Sequence, residues 1–310
     1  MKKIFVIVSL ILAGVAAVAA QTTLTNALQY LQQKNFLAAL EACNALLAES
    51  ANDASALSVR SLTYTAMGNF DLAMQDADKA LAADVNSDRA NFAKGEVLLH
   101  GQRDFRQAQQ FYDAAIKSNA QMNEAYAGKA RALMGMQNSR DAMRVIEDAI
   151  RTSPSRDAEL FYIRGLLNFQ RGNHRQAVED YDMSLSINAT WNAYQVFLNR
   201  GFANDAQSRP EIALQDFSKA IIADPNSAGG YMARGNLRYN LSQFSEAVDD
   251  FMKAEVFNPD NSVISYNIGM AHHRNNDRTS ACRFFQKSCS QGNSNACRMV
   301  ALNCSDRNVR

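Results

Sequence analysis

The side chains best suited to chemistry gather at the carboxyl end, where Cys282, Cys289, Cys297 and Cys304 supply four of the five cysteines at gaps of 7, 8 and 7 residues. Thiols in such a series have three uses: ligating a metal, pairing as disulfides, or filling a helix seam as small apolar residues. His272 and His273 precede them. The intervals are not those of a compact tetrahedral site, however, and adjacent histidines on a helix point about 100° apart, so no metal is expected. Pairing fits the spacing better. Cys289 and Cys297 each lie four residues from Asn293, and Cys282 and Cys304 each lie eleven from it. If Gly292-Asn293 turns an antiparallel helical hairpin, Cys289 comes opposite Cys297 and Cys282 opposite Cys304 on one seam, because seven residues make about two helical turns. Spacing does not fix connectivity, and burial of all four as small hydrophobes stays open.

Other reactive constellations are absent from the sequence. His100 and His174 stand alone near turns, no serine sits in a nucleophile-elbow motif, and no glycine-rich loop could cradle a phosphate. Arg60 and Asp76, Arg164 and Asp180, Arg200 and Asp216, and Arg234 and Asp250 are each sixteen residues apart. Four recurrences argue for a structural ion pair, not for catalysis. The copies with Lys94, Lys129 or Ile268 at the arginine place also lack the matching aspartate. No catalytic residue and no cofactor is therefore assigned, and the protein is expected not to be an enzyme. With 32 Lys and Arg against 31 Asp and Glu, the net charge of +1 offers no basic excess for nucleic acid.

The chain opens with Met1-Lys2-Lys3, an apolar or small run from Ile4 to Ala20, and the small-residue end Ala17-Val18-Ala19-Ala20-Gln21. A charged start, an apolar centre and a small-residue cleavage site read as a secretory signal over residues 1–20. Its removal would leave no transmembrane segment. The exported compartment it implies is oxidising, which favours disulfides among the four carboxyl-terminal cysteines.

The elements that must position these side chains are helical. Four prolines and 14 glycines in 310 residues are few for a sheet protein with many turns. More telling is self-similarity: Arg200 to Ala228 and Arg234 to Ser262 carry Arg-Gly, Ala, Asp, an aromatic and Asp/Asn-Pro at equal offsets. Small anchor residues recur at Ala27, Ser61, Gly95, Ala130, Gly165, Gly201, Gly235 and Gly269, with gaps of 34, 34, 35, 35, 36, 34 and 34. Alanine follows at about +12 and, in the later copies, an aromatic at +16: Tyr181, Phe217, Phe251 and Phe285. The third copy has an insertion in its turn, His100 to Asp104, and the first has polar faces at Gln29, Gln32 and Gln33, as a capping copy would.

This pattern resembles the tetratricopeptide repeat, a helix-turn-helix of about 34 residues. The resemblance covers eight copies, about 21–53, 54–87, 88–122, 123–156, 157–191, 192–227, 228–261 and 262–293, followed by a capping helix and tail over 294–310. It implies an all-α fold, a right-handed α-solenoid of stacked helix-turn-helix repeats. No boundary between copies has linker composition, so one uninterrupted run is expected. The stretch Cys289 to Cys297 also resembles the short cysteine-rich helical repeats of secreted bacterial proteins, in which two cysteines flank the turn.

In this family the first helix of each pair lines a concave face. Mapped onto the present numbering, that face takes Tyr162, Leu166, Phe169, Leu198, Phe202, Met232, Asn236, Tyr239, Tyr266 and Met270 in the second half, and Ser58, Leu62, Thr65, Phe92, Glu96, Leu99, Ala127, Arg131 and Met134 before them. Aromatic and methionine side chains suit the capture of irregular partners. The family's lysine and asparagine clamp for chaperone tails is not matched, since Ser58, Phe92, Ala127 and Tyr162 stand where its cations would be. The resemblance thus implies a non-catalytic scaffold holding a protein or peptide in the concave groove, in a bacterial cell envelope: periplasmic, or alternatively secreted or outer-membrane associated. Binding of an envelope glycan or peptidoglycan is the alternative, which a single tryptophan disfavours. The partner, pathway and oligomeric state are not legible.

Overall fold

The computed structural model describes residues 20–153 and 155–304. The run read as an export signal lies outside them, apart from its last residue. Every regular element among the described residues is a helix. Helix α1 covers residues 20–32. It is followed by α2 (Phe36–Glu49), α3 (Ala54–Ala66), α4 (Phe70–Ala83), α5 (Asp88–Val97), a π-helical turn (Leu98–Gln102), α6 (Phe105–Ser118), α7 (Asn123–Gly135), α8 (Ser139–Thr152) and α9 (Ala158–Gln170). The remaining helices are α10 (His174–Ile187), α11 (Ala193–Ala206), α12 (Pro210–Ala223), α13 (Ala228–Asn240), α14 (Phe244–Phe257), α15 (Ser262–Arg274), α16 (Arg278–Ser290) and α17 (Ser294–Asn303). This is an all-α repeat solenoid. Its contacts group the chain into two compact units, Met1–Ile163 and Arg164–Arg310, and the division falls within α9, not in a linker.

The turn inside each pair follows one rule. A residue in the left-handed region closes each first helix at Lys34, Gly68, Arg103, Gln137, Gly172, Ser208, Ser242 and Asn276. At seven of these turns the next amide donates back to a carbonyl five residues earlier, as from Asn35 to Tyr30, Asn69 to Tyr64 and Gln243 to Arg238, and after Arg103 the amide of Asp104 reaches Leu98, six residues earlier. This Schellman closure satisfies orphan carbonyls. Asn35, Asp104, Asn138 and Asp277 then cap the second helices with side-chain oxygens. The insertion seen in the third copy is absorbed by the π-helical turn, with Arg103 left-handed behind it.

Packing explains the small anchors. In the first unit the fully buried Tyr112 ring lies between α5 and α7, and a Cβ on Gly95 or Gly128 would stand 2.7 or 2.5 Å from it. In the second unit a Cβ on Gly201 would stand 2.5 Å from Phe217, and one on Gly235 2.6 Å from Phe251. Glycine is needed there because the aromatic of the second helix rests directly on the backbone of the first.

The sixteen-residue pairs form within each repeat. Arg60 Nε donates to Asp76 Oδ2 at 2.7 Å, Arg164 Nη2 to Asp180 Oδ1 at 2.6 Å, Arg200 Nη2 to Asp216 Oδ1 at 2.5 Å, and Arg234 Nη2 to Asp250 Oδ1 at 2.7 Å. The cations also reach backwards. Arg60 Nη1 donates to Asn44, Arg200 Nη1 to Asp182 and Arg234 Nη1 to Ser218. Lys94 and Lys129, whose own repeats lack the aspartate, pair with Asp78 and Asp113 on the preceding second helix, each at 2.5 Å. The position therefore joins successive repeats as well as the two helices of one.

Candidate partner-binding sites

In the second unit, α13 and α15 run side by side on α14. Asn236 and Tyr239 from α13 and Tyr266, Asn267 and Met270 from α15 surround a cavity of about 220 Å³ floored by Phe251. The two tyrosines are held by neighbours: Tyr239 meets Phe244 edge-on at 5.5 Å, and Tyr266 lies 6.0 Å from Phe285. Asn267 Nδ2 donates to Asn236 Oδ1 at 3.2 Å. The pair still presents one amide donor and one carbonyl acceptor, the complement of a peptide group. Four of the residues placed on the concave face from the sequence, Asn236, Tyr239, Tyr266 and Met270, thus come together; Asn267 was not among them. Its signal was its place two residues before the Gly269 anchor, one side of the inward series.

The other inward candidates are placed differently. Phe202 is 40% exposed and meets Phe217 edge-on at 5.1 Å, so its ring rim is accessible. Leu198 packs against the cluster of Ala213, Phe217, Ala233 and Leu237, and Met232 against that of Ala247, Phe251 and Ile264. Both act in part as core. Tyr162, Leu166 and Phe169 are half-buried, and the Phe169 ring lies 5.1 Å from His174.

The first unit carries a charged cluster on its own inner series. Glu96 Oε1 accepts from Tyr112 Oη at 2.7 Å and from Arg131 Nη2 at 3.4 Å, while Arg131 Nη1 donates to Glu159. Burial alone would raise the Glu96 pKa, but Arg131, with contacts from His100 and Tyr112, brings it down to about 2. Burial pushes Glu159 upward against the pull of Arg131. Glu96 and His100 line a cavity of about 660 Å³ with Leu62, Thr65, Ala66, Met67, Gly68 and Phe70. Gly101, in the π-helical turn, lies so close to Phe70 that a Cβ there would stand 2.8 Å from the ring. The inserted turn therefore seats His100 beside Glu96, with His100 Nε2 at 3.5 Å from Glu96 Oε2.

At the carboxyl end, α16 and α17 form a hairpin whose turn contains the left-handed Gly292. Cys289 stands opposite Cys297 and Cys282 opposite Cys304, with Cα separations of 4.7 and 5.6 Å and the sulfurs at bonding distance. Cys43 is buried apart from them, and burial raises its thiol pKa to about 11. Among the described residues no group of three or more histidine, cysteine or acidic side chains is placed to hold a metal, and no helix is long and apolar enough to cross a membrane.

The tetratricopeptide-repeat family model matches residues 59–123 and 127–190, under half of the chain, and the helix pairs on either side repeat the spacing of those segments. Human "Tetratricopeptide repeat protein 6" is 30% identical over 104 residues, 34% of this chain and 19% of that protein. The "Hsp70-Hsp90 organizing protein" of Triticum aestivum is 21% identical over 249 residues, 75% of this chain and 40% of that protein. The chain thus spans well under half the length of either relative. Among solved structures, a chain of the APC/C hetero-tetramer Cut9-Hcn1 superposes with a TM-score of 0.68 at 13% identity, covering 87% of this chain and 53% of that one. A tetratricopeptide repeat protein from Parabacteroides merdae gives 0.55 at 14% identity, covering 81% of this chain and 98% of that one. At these identities the likeness concerns the fold.

Proposed function

We propose that the protein is a non-catalytic scaffold that captures an extended segment of a protein partner, and that the cavity between α13 and α15 is one place where it does so. The observation that carries this reading is the Asn236–Asn267 amide pair among Tyr239, Tyr266 and Met270. The amides match the backbone of an extended chain, and the rings and thioether around them take an apolar side chain. Rings already held by Phe244 and Phe285 lose little freedom when a ligand arrives. The name of one similar protein, an organizing protein for Hsp70 and Hsp90, supports a role in holding partners together.

The export reading belongs to the same proposal. It is supported by the charged and apolar pattern of residues 1–20 and by two cysteine pairs at bonding distance, an arrangement suited to an oxidising compartment. The protein would act in a bacterial envelope. Crosslinking pull-down from native envelopes with the parent and with Tyr239→Ala/Asn267→Ala tests the groove: the variant should keep its helicity and lose the captured partners. Equal capture by both sinks the groove reading, whereas recovery of muropeptides in place of proteins would favour the glycan alternative. Cell fractionation tests the location, and a cytosolic pool alone would refute export.

A further inference from the structure

We infer that the Glu96 cavity of the first unit is a separate subsite for a basic side chain, lysine or arginine, of an extended peptide. The two oxygens of Glu96 are used unequally. Oε1 is taken by Tyr112 and Arg131, while the recorded partner of Oε2 is His100 Nε2 at 3.5 Å, beyond a full hydrogen bond. Glu96 lines the cavity, and its Oε2 has acceptor capacity to spare. The bonds of Arg131 go elsewhere, from Nη2 to Glu96 Oε1 and from Nη1 to Glu159, while its Nε is buried without a hydrogen-bond partner.

The charges favour a cation as the guest. Two carboxyl groups, Glu96 and Glu159, face one guanidinium, and Glu96 is held ionised at neutral pH. A carboxylate only 14% exposed has lost most of its hydration, so a charge-assisted hydrogen bond from an ammonium or guanidinium is worth more there than at the surface. The rest of the wall suits the stem of such a side chain: Leu62, Ala66 and Phe70 are apolar and lie beside the carboxylate. At about 660 Å³ the cavity has room for a basic side chain with its flanking residues, more than a free amine needs. The π-helical turn completes the wall by packing Gly101 on Phe70 and bringing His100 to the rim.

This subsite is independent of the α13/α15 cavity, and the two are tested by different variants. The probe is a fluorescein-labelled heptapeptide with a central lysine between two leucines, titrated by anisotropy into the full-length chain. Its counterparts carry arginine or the uncharged norleucine at the centre. The lysine and arginine peptides should bind at least tenfold more tightly than the norleucine peptide. Glu96→Gln should bring all three to the weaker value, and Thr65→Lys, which places a cation of the chain's own in the cavity, should do the same without touching the buried network. Tyr239→Ala/Asn267→Ala should leave the ratio unchanged. Equal affinity for lysine and norleucine peptides, or no binding of any, overturns the inference, as does a lysine preference that survives both Glu96→Gln and Thr65→Lys. Cadaverine is the free-amine arm: it should bind at least a hundredfold more weakly than the lysine peptide, and equal affinity would refute the peptide assignment.

Discussion

Removing one arginine should cost the fold very different amounts depending on what else holds its aspartate. Asp76, with 5% of its side chain exposed, takes both its recorded guanidinium bonds from Arg60, at 2.7 and 2.9 Å. Asp250, at 3%, takes bonds from Arg234 and a further one from Arg238 Nη1 at 2.8 Å. Arg60→Met therefore strands a buried carboxylate, which costs roughly 3–5 kcal/mol; with the edge of the site open to water, about 3 kcal/mol is expected. Arg234→Met leaves Asp250 with Arg238 and should lose only charged hydrogen bonds, about 1.5 kcal/mol. For units of this size each kcal/mol moves the midpoint by about 2–4 °C. Arg60→Met should then melt about 6–12 °C below the parent and Arg234→Met about 3–6 °C below, followed by far-ultraviolet circular dichroism. Arg234→Met/Arg238→Met strands Asp250 in turn and should cost more than the sum of its two single variants, a coupling that only shared partners produce. Arg60→Met/Asp76→Leu, which removes both charges, should recover much of the loss. If Arg60→Met melts with the parent, or the double variant at Asp250 is merely additive, the ion pairs do not support the fold in the way described.

Three further outcomes are expected. Gly235→Ala should lower the melting point by about 2–4 °C, the reverse of the gain of about 1 kcal/mol that alanine brings to an ordinary helix, because its Cβ would meet Phe251 at 2.6 Å; a rise would refute the close approach. Glu96 is held at about 2 against an ordinary 4.5, so its contribution to stability is complete above the ordinary value and fades as the pH falls between those limits. Melting of the parent should fall more steeply than that of Glu96→Gln across that window, and parallel curves would argue against the ionised cluster. A thiol titration of the denatured, unreduced protein should find one free thiol, that of Cys43, and reduction should destabilise the carboxyl-terminal hairpin by about 2–4 kcal/mol per bond; five free thiols would exclude both bonds.

The repeat was legible because packing forces it to be. Where the aromatic of a second helix rests on the backbone of its own first helix, as Tyr181, Phe217, Phe251 and Phe285 do on Gly165, Gly201, Gly235 and Gly269, the glycine lies sixteen residues before it, and those spacings survive in the plain sequence. The arginine–aspartate pairs showed for the same reason. What stayed hidden needed contacts between repeats. Lys94 and Lys129 have no aspartate sixteen residues ahead of them; their partners, Asp78 and Asp113, lie sixteen residues behind. Gly128 gave no sign that it meets Tyr112, since its aromatic belongs to the preceding pair. Glu96 and Arg131 were both placed on the inner series, but their joining to Glu159 depends on the angle between neighbouring first helices, which no periodicity carries. The left-handed turn residues were equally silent, because lysine, arginine, glutamine, serine and asparagine occupy most of those places.

The hairpin of α16 and α17 also bears on how the second unit comes apart. Repeats that touch only their neighbours open from their ends, one pair at a time, because an end pair is held on one side only. Once Cys282 is joined to Cys304 and Cys289 to Cys297, as their bonding distances permit, the last two helices cannot separate even when their packing is lost, and each opening remains a short excursion from which the hairpin recloses. Amide exchange should then be slow through α16 in the oxidised protein and quicken there first on reduction. Against proteases, which cut opened segments, a hairpin closed in this way lengthens the lifetime of its fold without adding to its core.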